Sequence, residues 1–84
     1  MGTSRAKPQH LAAKLLAIRQ RLGLSQSELI ARLKCDLSTA RISEYESGAR
    51  VPSLLTLLSY SKVGRVRLEV LIDDARSLPE LRTK

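Results

Sequence analysis

Residues 25–48 read SQSELIARLKCDLSTARISEYESG, and this stretch decides the fold. Ser25 followed three residues later by Glu28 forms a capping box, which marks the start of a short helix. Ser38 is the expected N-cap of a second short helix, with Asp36 as the alternative cap, and Gly48 is expected to end it. The stretch therefore predicts two helices joined by a tight corner, the second opening on a small polar cluster.

Apolar residues flank both caps at the spacing of a hydrophobic staple. Leu24 and Leu29 bracket the first cap, and Leu37 and Ile42 bracket the second. Tyr45 lies one turn beyond Ile42, so we expect both to point into the core. The staples and caps together fix how the chain enters each helix.

Three further helices are predicted outside this stretch, at about residues 10–22, 53–64 and 67–73. Ser53 caps the fourth helix and Gly64 is expected to stop it, whereas Arg67 is a poor cap for the fifth. Lys14 and Arg21 fall off the apolar face of the first helix. The residues expected to point inward are Leu11, Leu15, Ile18 and Leu22, then Leu54, Leu57 and Leu58, and finally Leu68, Leu71 and Ile72.

The length and composition allow one small all-α domain. The chain has 84 residues, is rich in leucine, and has no Phe or Trp, a composition that suits packed helices better than a sheet. We predict a flexible basic arm at residues 1–9, a helical domain at 10–74, and a loose tail at 75–84. No strands and no repeats are expected.

The formal charge of +7 is unevenly distributed. Residues 1–34 hold seven basic side chains and one acidic side chain, whereas the remainder is nearly balanced. A polyanion is the natural partner for such a surface, although a charge of several units also serves solubility alone. Arg5 and Lys7 in the arm could reach a nucleic-acid backbone or minor groove, or simply be solvated.

The sequence excludes several classes of protein. Cys35 is the only cysteine and His10 the only histidine, so a disulfide, a metal site or a catalytic Cys/His or Ser/His/Asp set is not expected. We predict no cofactor and no enzymatic activity. No long apolar run marks a signal peptide or membrane span, and we expect a cytoplasmic protein.

The segments LGLSQSEL and ISEYESGARVPS resemble the helix-turn-helix domain of the Cro and phage-repressor group, also called XRE-like. The resemblance spans residues 15–72 and implies a compact five-helix, lambda-repressor-like fold. The chain departs from the family at the corner. There, the spacing from Gln26 to Ile42 is two residues longer than usual, and Lys34-Cys35-Asp36 replaces a glycine. We expect a longer corner, helices set further apart, and a shift of about one position in which side chains face outward.

The resemblance implies a role for each residue of a DNA interface. Gln26 matches a glutamine that grips a phosphate, and Arg19 with Glu46 matches a partly buried salt bridge. The recognition helix, about residues 38–47, would enter the major groove. The implied DNA contacts are Gln26, Thr39, Ala40, Arg41, Ser43, Glu44, Ser47 and Arg50.

The chemistry of three of these side chains leaves alternatives open. Arg41 could bond bidentately to guanine, or be an ordinary exposed arginine at a helix start. Glu44 could accept a hydrogen bond from a cytosine amino group, or pair with Arg41 three residues earlier. Thr39 could touch a thymine methyl group or a phosphate, or simply be polar.

The sequence therefore predicts a sequence-specific regulator that binds double-stranded DNA, acts as a repressor, and works as a homodimer. Interface candidates near the fifth helix are Val66, Val70, Leu78 and Leu81. The alternative is an antitoxin or adaptor module whose C-terminal part binds another protein, and RNA binding is disfavoured by the lack of aromatics.

Overall fold

The computed structural model describes residues 10–76 and 78, which contain five α-helices joined by loops. They are α1 (Leu11–Leu22), α2 (Gln26–Leu33), α3 (Thr39–Ser47), α4 (Leu54–Gly64) and α5 (Leu68–Ile72). No strand occurs within these residues, and the predicted all-α, five-helix class is confirmed. The predicted arm, residue 77 and the tail from 79 onward lie outside the described residues, so the proposed domain limits remain predictions.

The starts of α2, α3 and α4 follow from the predicted serine caps, whereas α1 and α5 begin without a side-chain cap. Ser25 Oγ accepts from the Glu28 amide at 3.1 Å, while Glu28 Oε1 accepts from the Ser25 amide at 2.7 Å. The hydrogen bond from the Ser25 amide to the carboxylate is the main reason that the pKa of Glu28 lies below its usual value. Ser38, not Asp36, caps α3, because its Oγ accepts from the Arg41 amide at 3.1 Å. Gly48 ends α3 in the left-handed conformation, with φ of 86°.

One apolar core joins all five helices. Both staples are present: Leu29 and Ile42 are fully buried, and Leu24 and Leu37 pack against the core from the preceding loops. Tyr45 is 4% exposed, as predicted. The remaining core residues are Leu11, Leu15, Ile18, Leu33, Leu57, Tyr60 and Leu71.

The prediction of the inward face was wrong for four residues. Leu54, which is 64% exposed, and Leu58, which is 38% exposed, turn outward. The inner side of α4 is instead formed by Thr56, Leu57, Tyr60 and Ser61. Leu22 and Ile72 are 39% and 41% exposed, because each is the last residue of its helix and lies beyond the packed turns.

Gly64 has a different role from the predicted stop signal. It is the last residue of α4, and Arg65 adopts the left-handed C-cap conformation instead, with φ of 57°. A Cβ atom on Gly64 would lie 3.0 Å from Cγ2 of Ile18. The glycine therefore permits the close approach of α4 to α1.

Lys14 is the main surprise in α1, since it was predicted to lie off the apolar face. Its side chain is buried, and Nζ donates to the Val70 carbonyl at 2.6 Å and to the Asp73 carbonyl at 3.0 Å. The last four carbonyls of a helix lack partners within the helix, and a positive charge is favourable there. Lys14 thus anchors the short α5 onto α1.

Replacing Lys14 with methionine is expected to lower the free energy of unfolding by about 2 kcal/mol, because a charged donor to one buried and one part-buried carbonyl is lost. Methionine retains most of the aliphatic stem and therefore separates the hydrogen bonds from packing. Urea denaturation would measure the change, with Lys62→Met as the exposed control on α4. Equal stabilities of the two variants would contradict this role for Lys14.

The corner between α2 and α3 comprises residues 34–38. Lys34 adopts the left-handed conformation, with φ of 57°, at the point where the family usually has glycine. Cys35 turns back toward the fold, with Sγ 3.4 Å from the Leu33 carbonyl and 3.7 Å from Ser59 Oγ. Leu37 closes the corner against the core. The two extra residues are therefore absorbed in a folded corner that leaves both staples intact.

Candidate nucleic-acid interface

The first turn of α3 is open to solvent. Thr39, Ala40 and Ser43 are exposed on its outer side, while Ile42 and Tyr45 bury the inner side. This division follows from the helical period, which turns residues 42 and 45 inward together and leaves the polar start of the helix outside. The tip of α3 is thus an accessible polar surface on a rigid element.

Glu44 contacts two arginines on this surface. Its Oε1 lies 3.1 Å from Nε of Arg41 and accepts a hydrogen bond from Nε of Arg50 at 3.0 Å. The Arg50 amide also donates to the Glu44 carbonyl at 3.2 Å, which fixes the loop after α3 against the helix. Of the two roles considered for Glu44, the structure shows the ion pair with Arg41 and adds Arg50 to it.

Gln26 links the start of α2 to α3. Its Nε2 donates to Ser43 Oγ at 3.0 Å and to Glu46 Oε1 at 3.3 Å. The side chain is therefore half-buried between the helices, which gives this glutamine a structural reason for its position besides the implied phosphate contact. These bonds set the rotation of α3 about its axis relative to α2.

Arg19 and Glu46 form a two-point ion pair between α1 and α3. Arg19 Nε lies 2.6 Å from Glu46 Oε2, and Nη2 donates to Oε1 at 3.0 Å. Arg19 Nη1 also donates to the Leu24 carbonyl at 3.0 Å. The hydrogen bond to Glu46 raises the pKa of Arg19 further above its ordinary value. Because Glu46 also accepts from Gln26, one connected network positions α3 against α1 and α2.

Ser47 is exposed, but its hydroxyl completes the end of α3. Oγ donates to the Glu44 carbonyl at 3.2 Å and accepts from the Ala49 amide at 3.4 Å. The DNA contact implied for Ser47 would have to share this hydroxyl. Ser47 is the last residue of α3, and Arg50 lies in the loop that follows.

The basic excess of residues 1–34 contributes less to the surface than the charge count indicates. Lys14 and Arg19 are engaged in the internal contacts described above, and residues 1–9 lie outside the described part. Within residues 10–34 the exposed cations are Arg21, Arg32 and Lys34. Arg32 belongs to α2, and Lys34 belongs to the corner that leads to α3.

Two links in this site had no signal in the sequence. Gln26 and Ser43 are seventeen residues apart, and Arg50 lies six residues beyond Glu44, across the end of the helix. Neither spacing is a helical or capping period. Only the fold brings these pairs together, whereas the Arg41–Glu44 spacing of three was readable.

Residues 10–76 and 78 contain neither a candidate metal cluster nor a membrane-spanning helix. No cluster of three or more His, Cys, Asp or Glu side chains suited to a metal ion occurs there. None of the five helices has the length and hydropathy required to cross a bilayer.

Comparisons with known proteins agree with this geometry. A family model described as Helix-turn-helix matches residues 15–71. A crystal structure of the P22 c2 repressor in complex with a synthetic operator matches with a TM-score of 0.68. Its sequence identity is 23%, and the alignment covers 76% of this chain and 94% of that one. The comparison with curated protein sequences gives no match. The chain therefore belongs to the helix-turn-helix family of the Cro/C1 type, and its class is that of a DNA-binding regulator and not of an enzyme.

Proposed function

We propose that the chain is a sequence-specific regulator of transcription that binds double-stranded DNA in the cytoplasm, represses its target, and acts as a homodimer. The observation that carries this proposal is the exposed polar tip of α3, held by the network of Arg19, Glu46 and Gln26. A helix of this size fits the major groove of B-form DNA, where each base pair presents its own pattern of donors and acceptors.

Individual roles follow from position on this surface. Thr39, Ala40, Arg41, Ser43 and Glu44 face the bases. Gln26 donates to a phosphate from Nε2, which exchanges its hydrogen bonds to Ser43 and Glu46 for the phosphate oxygens when DNA binds. Ser47 and Arg50 contact the backbone beside the groove. Support for this division comes from their common placement on the outer side of α3 and the loop after it.

A homodimer is proposed because one small module makes few base contacts. Val70 is 9% exposed and is buried within its own chain, so it offers little surface to a partner. Val66 and Leu78, on either side of α5 in the chain, are half-buried, and Leu81 lies outside the described residues. Ile72, the last residue of α5, is 41% exposed. Paired recognition helices would place the half-sites about 34 Å apart along the duplex.

Selection of bound duplexes from a random pool tests the proposal directly. We expect the recovered sequences to share a motif with two-fold symmetry and a spacing of about one helical turn. A single unpaired motif would remove the homodimer from the proposal. Recovery of no motif, together with co-purification of a protein partner and no DNA retention, would favour the antitoxin or adaptor alternative.

Arg41→Ala should relax the preference at one base position of the selected motif, at a cost of about 1–3 kcal/mol in binding to that motif. The reason is loss of a bidentate arginine–guanine contact. Competition binding against duplexes changed at single positions would measure it. Arg32→Ala is the contrasting variant, because it removes an exposed cation of α2 without breaking the contacts that position α3, and it should weaken binding to all duplexes alike. Uniform weakening by Arg41→Ala as well would contradict a base-reading role.

A further inference from the structure

We propose that Glu44 sets the specificity of this interface by opposing every duplex that does not offer its carboxylate a hydrogen-bond donor from a base. This inference rests on the proposed DNA-binding function and assigns a cause to its selectivity. The structural basis is the single oxygen, Oε1, that lies 3.1 Å from Arg41 Nε and 3.0 Å from Arg50 Nε.

The three side chains form one electrostatic unit. The Glu44 carboxylate lies between Arg41 and Arg50. The Arg50 amide donates to the Glu44 carbonyl and so holds the loop after α3 against the helix. The unit carries a net charge of +1 where two arginines alone would carry +2. The side chains of Arg41, Glu44 and Arg50 are 42%, 42% and 52% exposed, so a phosphate can reach all three.

A phosphate that approaches either arginine competes with Oε1 for the same cation. When the arginine turns to the phosphate, Glu44 loses a partner and is left near a second negative charge. This cost is independent of sequence, since every duplex presents the same phosphates. Glu44 therefore weakens binding to DNA of any sequence.

Only particular bases can offset this cost. A cytosine amino group can donate to the Glu44 carboxylate, and a guanine can accept from Arg41 without an extra phosphate entering the site. Discrimination is a difference between two affinities, so a group that lowers the weaker one is as effective as a group that raises the stronger one. Glu44 acts here mainly by lowering affinity for non-matching duplexes.

The test is binding of the full chain to two labelled duplexes, the motif selected from the random pool and a scrambled duplex of the same composition. Glu44→Gln retains the shape of the side chain and removes its charge. We expect it to bind the scrambled duplex about five- to tenfold tighter at 50 mM salt, because two partly exposed ion pairs no longer compete. The slope of log affinity against log salt should steepen by roughly 1–2, about 0.9 for each added phosphate contact.

Glu69→Gln is the matched control, because it removes the same charge from an exposed site on α5. We expect it to change scrambled-duplex binding less than twofold. Glu44→Gln in an Arg50→Ala background should lose much of its gain, which a general charge effect would not do. Glu44→Ala guards against an effect peculiar to glutamine and should tighten scrambled-duplex binding as well.

The ratio of selected to scrambled affinity should fall for Glu44→Gln and stay constant for Glu69→Gln. If the Glu44 and Glu69 variants behave alike while the wild-type chain binds its motif, the proposal for Glu44 is overturned and the DNA-binding function stands. If the wild-type chain binds neither duplex, both are overturned.

Discussion

Glu46→Ala is expected to lower the free energy of unfolding by about 3 kcal/mol, because it leaves the Arg19 guanidinium partly buried without its counter-charge. The Arg19 and Glu46 side chains are only 19% and 7% exposed, so solvent screens the pair weakly. For a domain of this size the melting temperature should fall by roughly 12–24 °C. Thermal and urea denaturation followed by circular dichroism would measure both quantities.

The comparison that isolates the cause is the double variant Arg19→Met with Glu46→Leu. Replacing both charges with apolar groups of similar volume removes the unpaired charge, so the double variant should be more stable than Glu46→Ala alone. Glu69→Ala, on the exposed side of α5, should change stability by no more than about 0.5 kcal/mol. The single variants Arg19→Met and Glu46→Leu complete the comparison. If the double variant loses as much stability as these two lose together, packing and not charge dominates at this site.

Local chemistry made the helix limits predictable from the sequence. A serine cap satisfies an amide two or three residues ahead, and a glycine accepts the left-handed conformation that ends a helix, so Ser25, Ser38, Ser53 and Gly48 could be assigned without knowledge of the fold. The two staples followed for the same reason. Family resemblance then extended this pattern to the arrangement of five helices.

The buried side of a helix was harder to predict where apolar residues occur on both of its sides. Four of the first five residues of α4 are leucines, so periodicity alone could not choose between its faces. The structure chooses a stripe that contains Tyr60 and Thr56 and turns Leu54 and Leu55 outward. The prediction for Lys14 failed for a related reason, since a lysine is normally exposed. The Val70 carbonyl to which Lys14 donates lies more than fifty residues further along the chain.

For the candidate site, the sequence indicated the residues but not the contacts between them. Gln26, Glu44 and Glu46 were singled out by resemblance, each with a separate role. The structure shows that Gln26 and Glu46 belong to one network and that Glu44 engages the arginines on either side. Contacts between helices depend on tertiary packing, and no local spacing encodes them.

The largest functional effect is expected from salt. Between 50 and 200 mM salt, affinity for a selected operator should fall by about 10³–10⁵, if a homodimer makes 6–10 phosphate contacts. Each protomer then needs three to five contacts. The exposed cations of α2, the corner and the loop after α3 are Arg32, Lys34 and Arg50, which supply three. Anisotropy titrations of one labelled operator across this range would give the slope of log affinity against log salt concentration.

The physical reason for this steep dependence is the release of cations that are condensed on the DNA, and each neutralised phosphate contributes about 0.9 to the slope. The slope therefore counts contacts and reports on the dimer: a monomer limited to three to five contacts should show about half of it. Circular dichroism in the same buffers controls for unfolding, and sedimentation controls for a salt-dependent change of assembly. Because Lys14 and Arg19 are held inside the fold, Lys14→Met should leave the slope unchanged even though it destabilises the domain. A flat response of the wild-type chain would mean that phosphates do not supply the affinity, and a partner other than DNA would then have to be sought.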